Sequence, residues 1–338
     1  MSAAAMLTAL AVDAVLGWPR AAFERVGHPV VWLGRLIDGL DRAWNRPQDP
    51  PVRRRLAGAA ATALVVGAAA LPAWTLQALL PGGAAGWLLA GVLAWPLVAA
   101  RSLHDHVAAV LTPLAAGDPH GARAAVALIV GRDPAQLDEG GVARAALESL
   151  AENASDGVVA PLFWGLLLGL PGIAGYKAVN TLDSMIGHRT VRHGEFGMAA
   201  ARLDDLANLI PARLTGAALA LVGGRRAAWR VMARDARRHR SPNAGWPEGA
   251  MAGALGVRLS GPRRYADRVA EEPWLNAGAP DPDARALRRG LALYRRAMAL
   301  CAAALAGLAL AGPALAGLAL AGPALAGPAL AIPALWGG

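Results

Sequence analysis

A single cysteine, Cys301, in 338 residues excludes an intrachain disulfide and any cysteine-rich metal site. Lysine is as scarce: Lys177 stands alone beside 32 arginines. Asparagine occurs six times, four of them at Asn153, Asn180, Asn208 and Asn243. There is no P-loop, because Lys177 is followed by alanine where that motif needs serine or threonine. No strand pattern matches the helical ones in strength, so the predicted fold is all-α. Charge is sparse, at 17% of residues against 55% hydrophobic ones. That balance excludes an ordinary soluble domain and predicts an integral membrane protein.

What the chain does have is long apolar runs. Residues 56–80 carry no charge for 25 residues and residues 84–100 none for 17, with only "PGGA" at the junction. A bilayer core of ~30 Å takes roughly 20 helical residues, so the two runs predict a transmembrane hairpin. Residues 3–16 are shorter and hold Asp13; without the basic start or cleavage site of a signal peptide, they read as a retained helix. Residues 297–312 predict another membrane helix. Prolines at 313, 323, 328 and 333 in the AGLAL and AGPAL repeats predict that it stops there, leaving 313–338 as a low-complexity apolar tail.

The net charge of +9 does not indicate nucleic acid, since the arginines lie in loops without an aromatic-basic platform. Eight fall within 20–55 and sixteen within 224–296, and the positive-inside bias predicts both regions on the cytoplasmic face. In "GRDPAQLD", Asp133 is the predicted N-cap and Pro134 the first residue of a helix; "GGVARAALESLAEN" continues as a second one.

That helix runs into "ENASDGVVAPLFWGLLLG", a polar cluster at the lip of an apolar segment, and beyond Pro171-Gly172 comes a second cluster, "YKAVNTLDSMIG". A straight helix over 158–176 would be about 28 Å long and would hold the clusters at opposite membrane faces. A turn at Pro171-Gly172 instead predicts a re-entrant hairpin over 158–187 with both polar ends together on the cytoplasmic side. Residues 206–223 contain Pro211 and Arg213 and are a poor span; if they and the preceding segment both cross, 177–205 faces outward. A third cluster, "ARLDDLANLIPARLTG", sets Asp204 four residues before Asn208 and Asp205 three before it, on shared helical faces. A fourth is "SPNAGWPEGAMAGAL", with Asn243 in a turn and Pro247-Glu248 starting a helix. One asparagine in each of the four segments predicts a shared site.

Hard cations take oxygen ligands, so Glu152, Asp156, Asp183, Asp204 and Asp205 are candidates to hold Mg²⁺-nucleotide, with Asp156, Asp204 and Asp205 assigned to the metal. Lys177, Asp183 and Glu152 are the candidate catalytic residues, since a compact ammonium suits phosphate or a reacting carboxylate. Asn153, Ser155, Asn180, Ser184, Asn208, Asn243, Glu248 and His28 are the candidate substrate contacts; Ser155 and Ser184 lack any nucleophile motif. His188, after "DSMIG", is placed like His28, whereas "HDH" at 104–106 points its histidines to different helix faces.

Six stretches, "DAVLGWP", "HPVVWLG", "ENASDGVVAPLFW", "YKAVNTLDSMIGH", "FGMAAARLDDLANLIPARLT" and "SPNAGWPEGAMAGALGVRLSG", together resemble the cobalamin-biosynthesis CobD/CbiB family, adenosylcobinamide-phosphate synthase. The resemblance spans residues 13–261; the pentapeptide tail departs from it. It implies an ATP- and Mg²⁺-dependent ligase in the cell membrane, with its site facing the cytoplasm. The reaction implied joins a propionate carboxylate of adenosylcobyric acid to 1-aminopropan-2-ol or its O-phosphate, through an acyl phosphate or adenylate. A corrinoid rich in carboxamides suits asparagine contacts, and a homo-oligomer stays open. Broken helices with buried acids also fit a transporter, and an aspartate-metal site fits a membrane phosphotransferase, although "SDGVVAP" lacks the further aspartate pair of the alcohol phosphotransferases.

Overall fold

The computed structural model describes residues 2–19, 21, 24–25, 27–130, 134–264 and 269–325. Helix α1 (Ser2–Leu16) is apolar and short. α2 (Pro29–Trp44) starts on a proline, whose missing N–H costs nothing at that position, and His28 Nδ1 caps it by accepting from Val30 N–H at 3.2 Å. α3 (Pro51–Leu79) runs 29 residues, and α4 (Gly83–Ala94) returns after Gly83, whose φ of +72° suits only a residue without a side chain. A 3₁₀ turn at Trp95–Leu97, with Pro96 inside it, leads to α5 (Ala100–Ala115), so the predicted uncharged run 84–100 is interrupted before its end.

After α6 (Pro119–Val126) comes α7 (Glu139–Ala154). Its N-cap is Asp138, accepting from Gly141 N–H at 2.7 Å, and residues 134–138 are turn or irregular. The helix predicted to begin at Pro134 is therefore absent, and Asp133 lies outside the described residues. The chain continues through a π-helical turn (Ser155–Val159) into α8 (Ala160–Leu168), then α9 (Leu170–Ile186), α10 (Met198–Ala207), α11 (Leu209–Gly223), α12 (Arg226–Asp235) and α13 (Gly245–Leu255). Two antiparallel ladders, β1 (Leu259–Ser260) with β4 (Trp274–Leu275) and β2 (Arg263–Arg264) with β3 (Val269–Ala270), are two residues long each.

α14 (Ala284–Leu325) starts 13 residues before the predicted 297 and passes through Pro313 and Pro323. A proline removes one backbone donor, a defect that apolar helices tolerate, as Pro72 does inside α3 and Pro113 inside α5. The last two tail prolines, 328 and 333, lie outside the described residues.

Three helices are long and apolar enough to cross a bilayer, Pro51–Leu79, Gly83–Ala115 and Ala284–Ala311; α10 and α11, bent by 46°, make a fourth if taken as one broken span. α3 leaves Leu56, Leu71, Trp74 and Leu79 more than half exposed, as a helix facing lipid does. The chain is an all-α polytopic membrane protein with broken helices. Its interior forms two clusters: a large one from α1, α4, α5, α7, α13 and α14, and a smaller one from Ile37, Ala61, Val65, Ala178, Leu182, Ile186, Phe196 and Ala200. α9 contributes to both, through Ile173 to the first and Ala178 to the second.

Candidate active site

Two prolines shape the site by withholding a backbone donor. Pro161 cannot serve the carbonyls one turn back, and the helix widens into the π turn at Ser155–Val159. The carbonyl of Gly157 accepts instead from Ala99 N–H at 3.0 Å, and that of Asp156 faces the Tyr176 hydroxyl at 3.3 Å. Pro211 in the same way frees the carbonyl of Ala207, which takes the Trp164 indole N–H at 3.0 Å. The chain bends there, with Asn208 at the joint between α10 and α11.

The bend brings the polar segments together. Asn208 accepts from the Tyr176 hydroxyl at 2.9 Å and donates its amide to Asp204 Oδ2 at 3.0 Å. Asp204 and Asn208 thus share a face, as their spacing predicts. Asp204 Oδ1 is buried and accepts no hydrogen bond among the described residues. Lys177 has Asp156 and Asp204 as electrostatic neighbours; Asn180 and Asp183 also neighbour Asp204, and Glu152 neighbours Asp156. The π turn and α9 therefore bring the "ENASDG" and "YKAVNTLD" clusters to one place.

The reversal that does this is at Gly169 (φ +71°, ψ −148°), two residues before the predicted Pro171-Gly172. Pro171 sits in the first turn of α9, where it needs no donor, and a Cβ on Gly172 would come within 2.2 Å of the Trp164 carbonyl. Pro-Gly marks the close packing after the turn, and Gly169 makes the turn. α9 runs antiparallel to α3: Leu170 N–H donates to Gln77 Oε1 at 2.7 Å, Gly175 packs on Ala70 and Val66, and the Phe196 carbonyl beyond α9 meets Gly58. Lys177 is consequently level with the middle of the uncharged run 56–80.

The other predicted residues lie around this centre. Asn153 is exposed and turns its amide back to the Ser149 carbonyl at 3.0 Å; Ser155 is buried next to Asp156. Asp205 is exposed and has Arg189 and Asp183 as neighbours, while its carbonyl accepts from Asn243 at 2.7 Å. Asn243 in turn accepts from Arg213 at 3.3 Å, whose guanidinium stacks 4.6 Å over Trp246. Ser184 is exposed and bonds the Asn180 carbonyl. Glu248 is fully buried with His239 Nε2 3.7 Å away. His28 caps α2, packs edge-on to Trp18 at 5.0 Å, and is an electrostatic neighbour of Lys177. In "HDH", His106 bonds the Ser102 carbonyl and His104 bonds Asp105, so the pair shares no ligand.

Among the described residues no group of three His, Cys, Asp or Glu side chains forms a metal cage. Mg²⁺ needs none, since it commonly takes one or two carboxylates and completes its shell with phosphate and water. Asp156 and Asp204, with the unpartnered Oδ1 of Asp204, fit that donor set.

Tyr176 escaped the sequence reading, although it is one of only three tyrosines and directly precedes the only lysine. Arg213, which makes 206–223 a poor span by sequence, donates to Asn243 Oδ1.

The fold is that of a polytopic membrane protein with a cluster of charged and polar groups inside its helix bundle. The profile of the family described as CobD/Cbib protein matches residues 6–294, and the chain belongs to that family. It is 65% identical over 298 residues to "Cobalamin biosynthesis protein CobD" of Rhodobacter capsulatus, covering 88% of this chain and 94% of the relative. The protein of the same description from Brucella suis is 50% identical over 301 residues (86% and 92%), and that from Sinorhizobium fredii 44% over 310 (89% and 95%). No solved structure matches the chain. Its role is biosynthetic, in the formation of cobalamin.

Proposed function

We propose that the chain is an ATP-dependent amide ligase that joins a propionate carboxylate of adenosylcobyric acid to (R)-1-aminopropan-2-ol or its O-phosphate, with the site open to the cytoplasm. The observation carrying this reading is that the only lysine of the chain has Asp156 and Asp204 as electrostatic neighbours in the region where the broken helices meet. Mg-ATP supplies activation when bound, turning one carboxylate oxygen into part of a leaving group. Asp156 and Asp204 would hold the Mg²⁺, with Asp205 at the exposed rim. The Lys177 ammonium is set to neutralise negative charge gathering at the reacting carboxylate, in surroundings too apolar for water to do so. Glu152, exposed beside Asp156, and Asp183, beside Asp204, are the carboxylates available to take the proton the amine loses as its nitrogen bonds carbon. Asn180 suits the carboxamide-rich rim of a corrinoid, whereas Asn243 is taken up by Asp205 and Arg213.

Purified protein given cobyric acid, aminopropanol phosphate and Mg-ATP should form the amide product, read as the mass of cobinamide phosphate, and Asp204→Asn should lose it while still inserting and folding. Product without ATP, or full activity in Asp204→Asn, would refute the assignment. Substrate-driven movement across sealed vesicles without product would favour a transporter.

A further inference from the structure

A cavity of about 470 Å³ opens between α1, α5 and α14, and none of the polar centre's residues line it. Its walls are apolar on α1 and α14, from Leu7, Leu10, Met298 and Ala302, and its mouth is polar, from Arg101, His104, Asp105 and Arg295. The size is that of a small-molecule pocket.

The mouth lies at a membrane boundary. Arg101 is the first charge after the uncharged run 84–100, and Arg295-Arg296 are the last charges before the apolar run 297–312. The two levels coincide, because the Tyr294 hydroxyl donates to the Ala100 carbonyl at 2.9 Å. α1 ends there too: Arg101 donates to the carbonyls of Ala14 and Val15. Apolar wall toward the bilayer and cationic rim at its edge is the arrangement of a lipid, with chain on one side and headgroup on the other.

Charge selects the kind of lipid. Asp105 lies near Arg101 at 3.4 Å and near His104 at 3.1 Å. Arg295 is exposed and has no ion-pair partner among the described residues. Arg101 is flanked by two carboxylates, Asp105 and the buried Asp13, which accepts from its backbone N–H at 2.9 Å, so the uncompensated positive charge at the mouth is that of Arg295, matching the single negative charge of a phosphodiester. We propose that one anionic phospholipid docks here, with its phosphate against Arg295 and Arg101 and one of its acyl chains in the cavity along α1 and α14.

The test uses the full chain in detergent. Phosphatidylglycerol should raise the melting temperature of the wild type by roughly 2–4 °C more than phosphatidylcholine does. One phosphatidylglycerol per chain should survive in native mass spectra. Arg295→Gln, chosen because its side chain has no ion pair or hydrogen bond among the described residues, should lose that increment, as should Ala302→Phe, which fills the apolar end. Arg288→Gln, an exposed arginine of the same helix outside the cavity, should keep it. Equal responses to both lipids, retention of the increment in Arg295→Gln, its loss in Arg288→Gln, or its reproduction by inorganic phosphate would each overturn the proposal.

Discussion

Lys177 is the residue on which the chemical reading turns, and two carboxylates, Asp156 and Asp204, are its electrostatic neighbours. If it stabilises charge that develops during reaction, one such contact is typically worth ~3 kcal/mol of barrier, so Lys177→Met should lower turnover roughly 100-fold. Lys177→Arg should recover little, because a planar guanidinium requires different partners from a compact ammonium. Full activity in Lys177→Met would remove it from the chemistry. Tyr176 makes a separate prediction. Without its hydroxyl, Asn208 Oδ1 is left buried and unpaired, at a cost of ~1–3 kcal/mol, and Asn208 loses what aligns it on Asp204. Tyr176→Phe should therefore lower both the melting temperature and kcat; wild-type values for both would place the hydroxyl outside the site. Lysine and the acids were legible because each is rare in its surroundings. Tyr176 was not, since an aromatic beside an apolar run reads as packing until a partner 32 residues away is known to reach it.

At the scale of elements, proline was legible as a breaker, but its exact effect was not. Pro161, Pro171 and Pro211 each mark a change of path, yet one widens a helix, one follows a turn and one bends a helix by 46°. The outcome depends on which distant group takes the freed carbonyl, and sequence spacing does not record that. Gly169 makes the turn, and its backbone angles belong almost to glycine alone. A Cβ there would also meet Gln77 Oε1 at 2.0 Å. Gly169→Ala should cost about 1–3 kcal/mol or more, and Gln77→Ala a similar amount by leaving Leu170 N–H unpaired; thermal unfolding in detergent measures both, and unchanged midpoints would mean that the turn is not held this way. α2 offers a pH test outside the membrane spans. Burial would raise the Asp41 pKa, but hydrogen bonds from Asn45 at 2.7 Å and Arg192 at 2.9 Å, with the charges of Arg192 and His193, leave it below the usual carboxylate value. A lowered folded pKa stabilises fully above the unfolded value of ~3.9 and less as pH falls through the folded one. The melting difference between wild type and Asp41→Asn should be full at about pH 5 and shrink below about pH 4. A difference that stays constant down to about pH 3 would disconnect Asp41 from this network.

At the scale of the whole molecule, the arginines and the broken helices describe one orientation. Arg54 donates to the Arg192 carbonyl and Arg55 pairs with Glu195, so the segment after α9 lies level with the start of α3. α3 leads away from that level and α4 returns toward it, reaching Arg101. Arg53–Arg55, Arg101, Arg189 and Arg192 thus fall on one side, while Gly169 lies with Gln77 toward the other end of α3. Composition made the class of protein and the arginine bias readable; the joining of 188–195 to 51–55 was not, because it rests on a few contacts about 140 residues apart in sequence. The positive-inside rule predicts that the arginine side, with the end of α9 that carries Asp183 and Ser184, faces the cytoplasm. Ser184 is exposed and turns its hydroxyl only to its own helix, so it can be replaced without breaking a contact between helices. In a Cys301→Ser background, Ser184→Cys should react with a membrane-impermeant maleimide in inside-out vesicles and stay unlabelled in right-side-out ones until detergent is added. The reverse pattern would place the arginine-rich side outside and turn the substrate-access face with it. Labelling by both routes would mean that the broken helices leave an open aqueous path, which a ligase has no need of and a transporter does.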